Sequence, residues 1–232
     1  MRKRNLGERL ESIIELIGSC DAVYDIGCDH GYMSIELAQR GFAGRIFFSD
    51  ISAMALEKAR VHAREAGLDG IATFAVADGL GDAAPTEKDA VCISGMGGHA
   101  VADILESAGV TLPCKVIIQA NTEVGVLRGR LEMLGYEIED ERIVYERGRY
   151  YQIMRLAGKV AGKMRLTETQ RLLGPVLLEK KSAVLLKYVE RRIALLEKAL
   201  YGAKADEEDA AAITHELELM KEARGWIVQS GT

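Results

Sequence analysis

The chain is predicted to be an α/β protein: a doubly wound parallel sheet that finishes in an antiparallel hairpin, followed by a helical hairpin. Three observations predict this. Five short apolar runs alternate with five helix-like segments up to about residue 134. The period then switches to that of two strands around Glu146-Arg147-Gly148. Beyond Ala157-Gly158 it becomes helical to the end.

The elements follow in order. Leu6, Leu10, Ile13, Ile14 and Ile17 have helical spacing. Strand one is 22–26, and a helix over 32–40 stops near Gly41. Strand two is 45–49, ending at Asp50, and Ser52 reads as the N-cap of a helix over 53–66 with Gly67 beyond it. Strand three is 72–77, ending at Asp78-Gly79. Strand four is 90–94, followed by Gly95-Met96-Gly97-Gly98 and a helix to about 108. Strand five is 115–120, followed by Asn121 and a helix over 124–134. The hairpin strands are 136–145 and 149–156. Pro175 after Gly174 suits the first turn of a helix. Val189, Ile193, Leu196 and Leu200, then Ala210, Ile213, Leu217 and Met220, give two apolar seams. Gly202 and Asp206-Glu207-Glu208-Asp209 lie between them, as in an antiparallel coiled-coil hairpin. The expected domains are 1–158 and 159–232.

Right-handed crossovers put the C-terminal ends of all five parallel strands on one rim. The loops at Gly27, Asp50, Asp78, Gly95 and Asn121 therefore share that rim, where such sheets bind ligands. The turn Asp25-Ile26-Gly27-Cys28-Asp29-His30-Gly31-Tyr32 argues against a pyrophosphate, because Asp29 would repel it. A cationic or zwitterionic ligand suits the turn; S-adenosylmethionine carries both a sulfonium and an ammonium. Asp50 follows Gly27 by 23 positions, the spacing at which an acid accepts ribose hydroxyls. Asp78-Gly79 is either an acceptor for an adenine amine or a plain turn. The Gly95-Met96-Gly97-Gly98 segment allows close backbone approach by another molecule. It lacks the lysine of a P-loop, and no Asn/Asp-Pro-Pro-aromatic motif follows strand four. Asn121 either orients a base edge or caps the next helix. Asp29 and His30 are the catalytic candidates.

Composition narrows the class. The chain has 232 residues, 48% hydrophobic and 28% charged, as in a soluble globular protein. No run is long enough for a membrane helix, and Met1-Arg2-Lys3-Arg4 leads into a polar segment unlike a secretory signal. Cys20, Cys28, Cys92 and Cys114 lie in or beside apolar runs without a paired motif, which predicts a cytoplasmic protein with no metal site. From Lys159 to Lys204 there are eleven Lys/Arg against four Glu, net +7; from Ala205 to Glu222 there are seven acids and one lysine, net −6. The basic block suits either a polyanion or a complementary acidic helix.

The hairpin finish is usual for class I methyltransferase folds. The motif from Asp25 to Tyr32 resembles the Asp-Ile-Gly-Ser-Asp-His-Ala-Tyr motif of the bacterial tRNA adenine-22 N1-methyltransferase (TrmK) family. Arg9-Leu10, Ser94-Gly95-Met96-Gly97-Gly98 and Gln119-Ala120-Asn121 match its other motifs in order. Cys28 and Gly31 stand where that motif has serine and alanine, Met33-Ser34 where it often has Leu-Pro, and Ala120 where it has proline. The resemblance implies methyl transfer from S-adenosylmethionine to N1 of adenine 22 in tRNA. It implies cofactor contacts from Asp25, Gly27, Asp50, Ile51, Asp78, Gly79, Gly95 and Met96, and substrate contacts from Arg9, Tyr32, Gly97 and Gly98. Asp29, His30 and Asn121 would be the catalytic residues, with Arg2, Lys3, Arg4 and the basic hairpin holding RNA. The oligomeric expectation is a monomer or weak dimer. Competing readings are a methyltransferase for another RNA or a small molecule, and a non-catalytic RNA-binding protein with a vestigial cofactor fold.

Overall fold

The computed structural model describes residues 6–42, 44–109, 111–157, 165–202 and 207–229. Arg2, Lys3, Arg4, Gly158, Lys159, Lys163, Lys204, Ala205 and Asp206 lie outside the described residues. The chain divides into two compact units, Met1–Arg165 and Leu166–Thr232.

The first unit holds a seven-stranded sheet. Its elements are α1 (Glu8–Ile17), β1 (Ala22–Ile26), α2 (Tyr32–Gln39), β2 (Arg45–Asp50), α3 (Ala53–Glu65), β3 (Ala72–Val76), β4 (Ala90–Gly97), α4 (Gly98–Ser107), β5 (Lys115–Thr122), α5 (Val124–Met133), β6 (Glu137–Glu146) and β7 (Arg149–Ala157). The strand order is β3-β2-β1-β4-β5-β7-β6. β1 to β5 pair in parallel, while β7 runs antiparallel to both β5 and β6. The order reverses between β1 and β4, so the crevice at their C-terminal ends is the natural ligand site.

Both inner strands are buried on both faces, as a parallel sheet requires. Ile13, Ile17 and Met33 pack with Val23, Cys92, Ile117 and Ile153 under α1 and α2. Leu56, Ala59 and Ala63 of α3 continue that layer over Ile46 and Phe48. Alternation turns Val91, Ile93, Val116 and Ile118 to the other face, where α4 packs on β4 and β5. The C-terminus of α1 is held by Lys115, whose Nζ donates to the carbonyls of Ile17 (2.8 Å) and Ser19 (2.6 Å). Ser52 caps α3 as expected, accepting from the Ala55 amide at 3.2 Å.

Two boundaries differ from expectation in a way that matters. β4 runs on to Gly97 and β5 to Thr122, with register shifts at Ser94/Met96 and Met96/Gly97. The glycine segment is therefore a bulged strand extension and not a free loop. The bulge re-aims the backbone at the rim.

In the second unit α6 (Glu168–Leu173) and α7 (Pro175–Lys180) precede α8 (Ala183–Gly202) and α9 (Glu207–Val228). Thr167 and Gln170 form a capping box on α6. Val189, Ile193, Leu196, Leu217 and Met220 are buried in the α8–α9 pair. Arg192 binds Glu216 through two hydrogen bonds (2.6 and 2.8 Å), and Lys221 meets Glu197 at 2.8 Å. Part of the basic block thus faces an acidic helix. No described helix is long and apolar enough to cross a membrane.

α5 is anchored by a fully buried ion pair. Arg128 donates through Nε (2.9 Å) and Nη2 (2.7 Å) to Glu141 on β6, and through Nη2 to Gln152 on β7 at 2.6 Å. Removing one partner strands a buried charge. Arg128→Met should therefore destabilise the protein by about 3–5 kcal/mol in urea unfolding. Adding Glu141→Leu should recover much of that loss.

Candidate active site

The turn after β1 is built from close contacts. Gly27 has φ +67, and a Cβ there would collide with the Met96 methyl group. Gly31 has φ +68, and a Cβ would meet Phe48 Cε1 at 2.9 Å. Both positions need glycine for backbone angle and space. The amides of Gly27 and Cys28 donate to the Ser49 carbonyl at 2.8 and 3.0 Å, strapping the turn to β2.

Asp50 is the centre of this arrangement. Its Oδ2 accepts from the Asp29 amide at 3.0 Å, and its Oδ1 from the Ser52 amide at 2.8 Å. Each oxygen keeps a lone pair for a further donor. Ser49 Oγ donates to the Gly79 carbonyl at 2.9 Å and holds the turn after β3 beside it.

These turns wall a cleft of about 540 Å³, lined by Ile26, Gly27, Asp50, Ile51, Ala77, Asp78, Gly79, Met96, Ala100, Asp103, Ile104 and Ser107. Six of the eight residues expected at the cofactor are on that wall. Asp25 and Gly95 are not. Asp25 is buried beneath the turn, where Ser34 Oγ donates to it at 2.7 Å. Gly95 lies out on the rim with its carbonyl bound to Asn121. Sequence reasoning missed the α4 side. Ala100/Ile104 and Asp103/Ser107 are each four apart, so one helical face meets the cleft; that periodicity was the available signal.

Donor chemistry tests which ligand fits. The lining includes the carboxylates of Asp50, Asp78 and Asp103 and contains no lysine or arginine among the described residues. Asp103 is itself paired with Arg130 at 2.6 Å. Such a wall suits a cationic ligand bearing hydroxyls and is wrong for a phosphate. Exposed Ile51 adds an apolar surface at its mouth.

Asp29 has φ 47, a left-handed angle that aspartate tolerates. Its exposed carboxylate lies 3.6 Å from His30 Nε2. The His30 ring stacks with Tyr32 at 5.2 Å and His62 at 5.7 Å, and Tyr32 with His62 at 5.2 Å. His62 Nδ1 is 3.1 Å from the His30 carbonyl, which only accepts, so Nδ1 carries the proton. His62 was not foreseen, since nothing in the spacing of α3 marks it.

Asn121 stands across the rim. It donates through Nδ2 to the Gly95 carbonyl at 2.6 Å and accepts at Oδ1 from Gln119 Nε2 at 3.0 Å. It does not cap α5, whose N-cap is Glu123 with no side-chain cap bond. Gly98 is buried, and a Cβ there would meet the Glu123 carbonyl oxygen at 2.6 Å. The close approach that this glycine allows is therefore by the protein's own β5–α5 turn. Gly97 lies beside Thr122 Oγ1 at 3.3 Å from its would-be Cβ. Cys28, Cys92 and Cys114 are buried and Cys20 is half-buried; all four are free thiols, and burial pushes each thiol up from its usual range. Among the described residues no group of three metal-ligating side chains occurs.

A methyltransferase-domain family profile matches residues 6–154. The chain belongs to the methyltransferase-domain family. A tRNA (adenine(22)-N(1))-methyltransferase of Bacillus subtilis (strain 168) is 29% identical over 192 residues, 81% of each chain. The structure of M. capricolum TrmK with S-adenosyl-homocysteine matches at a TM-score of 0.83 and 25% identity, over 96% of this chain and 99% of that one. The B. subtilis m1A22 tRNA methyltransferase TrmK matches at 0.80 and 25% identity, over 94% and 98%.

Burial raises the Asp25 carboxyl to about 6, against the pull of the Ser34 hydroxyl. A raised folded-state value favours the protonated form. Its stabilising contribution is full below pH ~4 and is lost as the pH rises through about 6. Asp25→Asn cannot ionise and still accepts from Ser34. Its stability relative to this methyltransferase should therefore rise by about 2–3 kcal/mol between pH 4 and 7. Thermal melts of both proteins across that range measure it.

Proposed function

We propose that the protein transfers a methyl group from S-adenosylmethionine to N1 of adenine 22 in tRNA. The observation that carries this reading is the acid-lined cleft at the β1/β4 reversal, whose Asp50 accepts from the Asp29 amide and whose Met96 follows Gly95, the residue bound by Asn121. The Bacillus subtilis relative supplies the named activity. S-adenosylmethionine, when bound, supplies an electrophilic methyl group on a sulfonium.

Each residue has a role in this reading. Asp50 accepts the ribose hydroxyls with the lone pairs that its two backbone donors leave. Gly27, Met96, Ile51, Asp78 and Gly79 would hold the rest of the cofactor, Ile51 offering an apolar surface and Asp78 an acceptor to its adenine. Asp25 acts from below by pinning α2 to β1 through Ser34. Adenine N1 carries its own lone pair, so no residue must deprotonate it. Methylation makes the ring cationic, and Asp29 offers a carboxylate to that charge. Tyr32 and His30 present ring faces on which a displaced base can stack. Most of the acceleration comes from aligning N1 with the methyl carbon.

The helical unit serves as the tRNA-binding element, with its basic α8 meeting the phosphate backbone. A tRNA substrate also supports a cytoplasmic location.

Incubation with labelled S-adenosylmethionine and unmodified tRNA should yield 1-methyladenosine in the nucleoside digest; any other methylated nucleoside overturns the assignment. Asp50→Ala should weaken cofactor binding in calorimetry by about 10- to 100-fold, the worth of one charge-assisted hydrogen bond, with tRNA affinity unchanged. Asp29→Ala should lower kcat more than cofactor affinity. Equal losses would move Asp29 to the cofactor contacts.

A further inference from the structure

The hydrogen-bond chain ending on Asn121 runs in one direction only. A guanidinium has donors and no acceptor, so the Gln119 atom facing Arg9 Nη1 at 2.7 Å is Oε1. Gln119 Nε2 then donates to Asn121 Oδ1 at 3.0 Å, and Asn121 Nδ2 donates to the Gly95 carbonyl at 2.6 Å. That carbonyl only accepts, so both ends of the chain demand the same polarity. Flipping Gln119 would set donor against donor at Arg9. Flipping Asn121 would set acceptor against acceptor at Gly95. Gln119 is fully buried, where such a mismatch costs most.

Arg9 is itself held in place. Its amide donates to Glu146 Oε2 at 3.0 Å, and its guanidinium lies over the Tyr151 ring at 5.5 Å. Register explains the meeting. Gln119 pairs with Ile153, which puts both on the α1 face together with Tyr151, two residues along β7.

A carboxamide oxygen accepts two hydrogen bonds and its nitrogen donates two. The chain occupies one of each. Exposed Asn121 therefore keeps one acceptor and one donor at the rim, in fixed order. That pair matches the 6-amino group and N7 of adenine. Recognition on this edge leaves N1 free to react.

We propose that Arg9 is a positioning residue. Acting through Gln119 and together with the Gly95 carbonyl, it fixes the polarity of the Asn121 amide, so that Asn121 selects the target adenine by its 6-amino group. This rests on the adenine N1-methyltransferase reading. It assigns Arg9 an indirect role in place of the direct substrate contact that the sequence resemblance implies.

The test uses full-length protein and tRNA carrying either adenosine or purine riboside at the target position. Purine riboside keeps N1 and N7 and lacks the 6-amino group. Wild type should prefer adenosine by about one to two orders of magnitude in kcat/KM. Arg9→Met should lower kcat on adenosine about tenfold and bring the adenosine/purine ratio toward one. Its KM for tRNA and its cofactor affinity should stay within about twofold. Arg9→Lys, another donor-only cation, should restore most of the preference. Arg9→Met combined with Gln119→Leu should be no worse than Gln119→Leu alone, because both break one chain. If Arg9→Met does not fold, Gln119→Glu makes the same test: it keeps the acceptor toward Arg9 and removes the donor toward Asn121. An unchanged adenosine/purine ratio overturns the proposal. So does a raised KM with a shallower salt dependence, which marks a phosphate contact. Wild type that methylates neither tRNA defeats the methyltransferase reading itself and this proposal with it, an outcome distinct from altered selectivity.

Discussion

The hydrogen bond from the Asp29 amide to the Asp50 carboxylate joins the two halves of the site. It bridges the turn after β1 and the end of β2, loops that are 21 residues apart in sequence. It aims the Asp50 carboxylate at the cleft, and it holds Asp29 at a left-handed angle that throws its own carboxylate outward beside His30. Two carboxylates brought this close from neighbouring loops would ordinarily repel one another. Here Asp50 is held by two backbone donors and faces the cleft, while the Asp29 carboxylate remains exposed at the rim.

Everything around that bond is organised to keep the turn tight. Gly27 and Gly31 leave room for Met96 and Phe48, and Ser49 straps the turns after β1 and β3. Asp25 ties α2 to β1 from below through Ser34, a serine where the resembling motif often has proline. Proline has no hydroxyl to donate, so this contact belongs to the departure from that motif. Across the rim, the buried Arg128–Glu141 pair anchors α5, and the Glu123 turn closes against Gly98. The two loop systems are thus braced independently, and the cleft lies between rigid walls. A reaction that depends on alignment more than on proton transfer needs such walls.

The fold was legible because its signals are local and repetitive. Apolar runs ending in Gly27, Asp50, Asp78 and Asn121 mark strand ends whatever lies elsewhere in the chain, and right-handed crossovers then send those ends to one rim. The Ser52 cap and the glycine hairpin at Gly148 are read the same way. The strand extension through Gly97 was not legible, since three glycines in four residues look like a loop. Pairing with β5 overrode their low strand propensity.

Sequence alone determined the kind of sheet, the rim on which its loops gather, and the acids Asp29, Asp50 and Asp78 that this rim displays. These follow from periodicity and from spacing along one chain. Only the tertiary structure decided which of them face the cleft, that Asp25 supports from beneath, and that His62 joins His30 and Tyr32. It alone set the polarity of Asn121, because that depends on the Gly95 carbonyl at one end and, at the other, on Arg9 arriving 110 residues away from Gln119 in sequence. A hydrogen-bond direction is fixed by partners at both ends, and no spacing within one segment records where the second partner will come from.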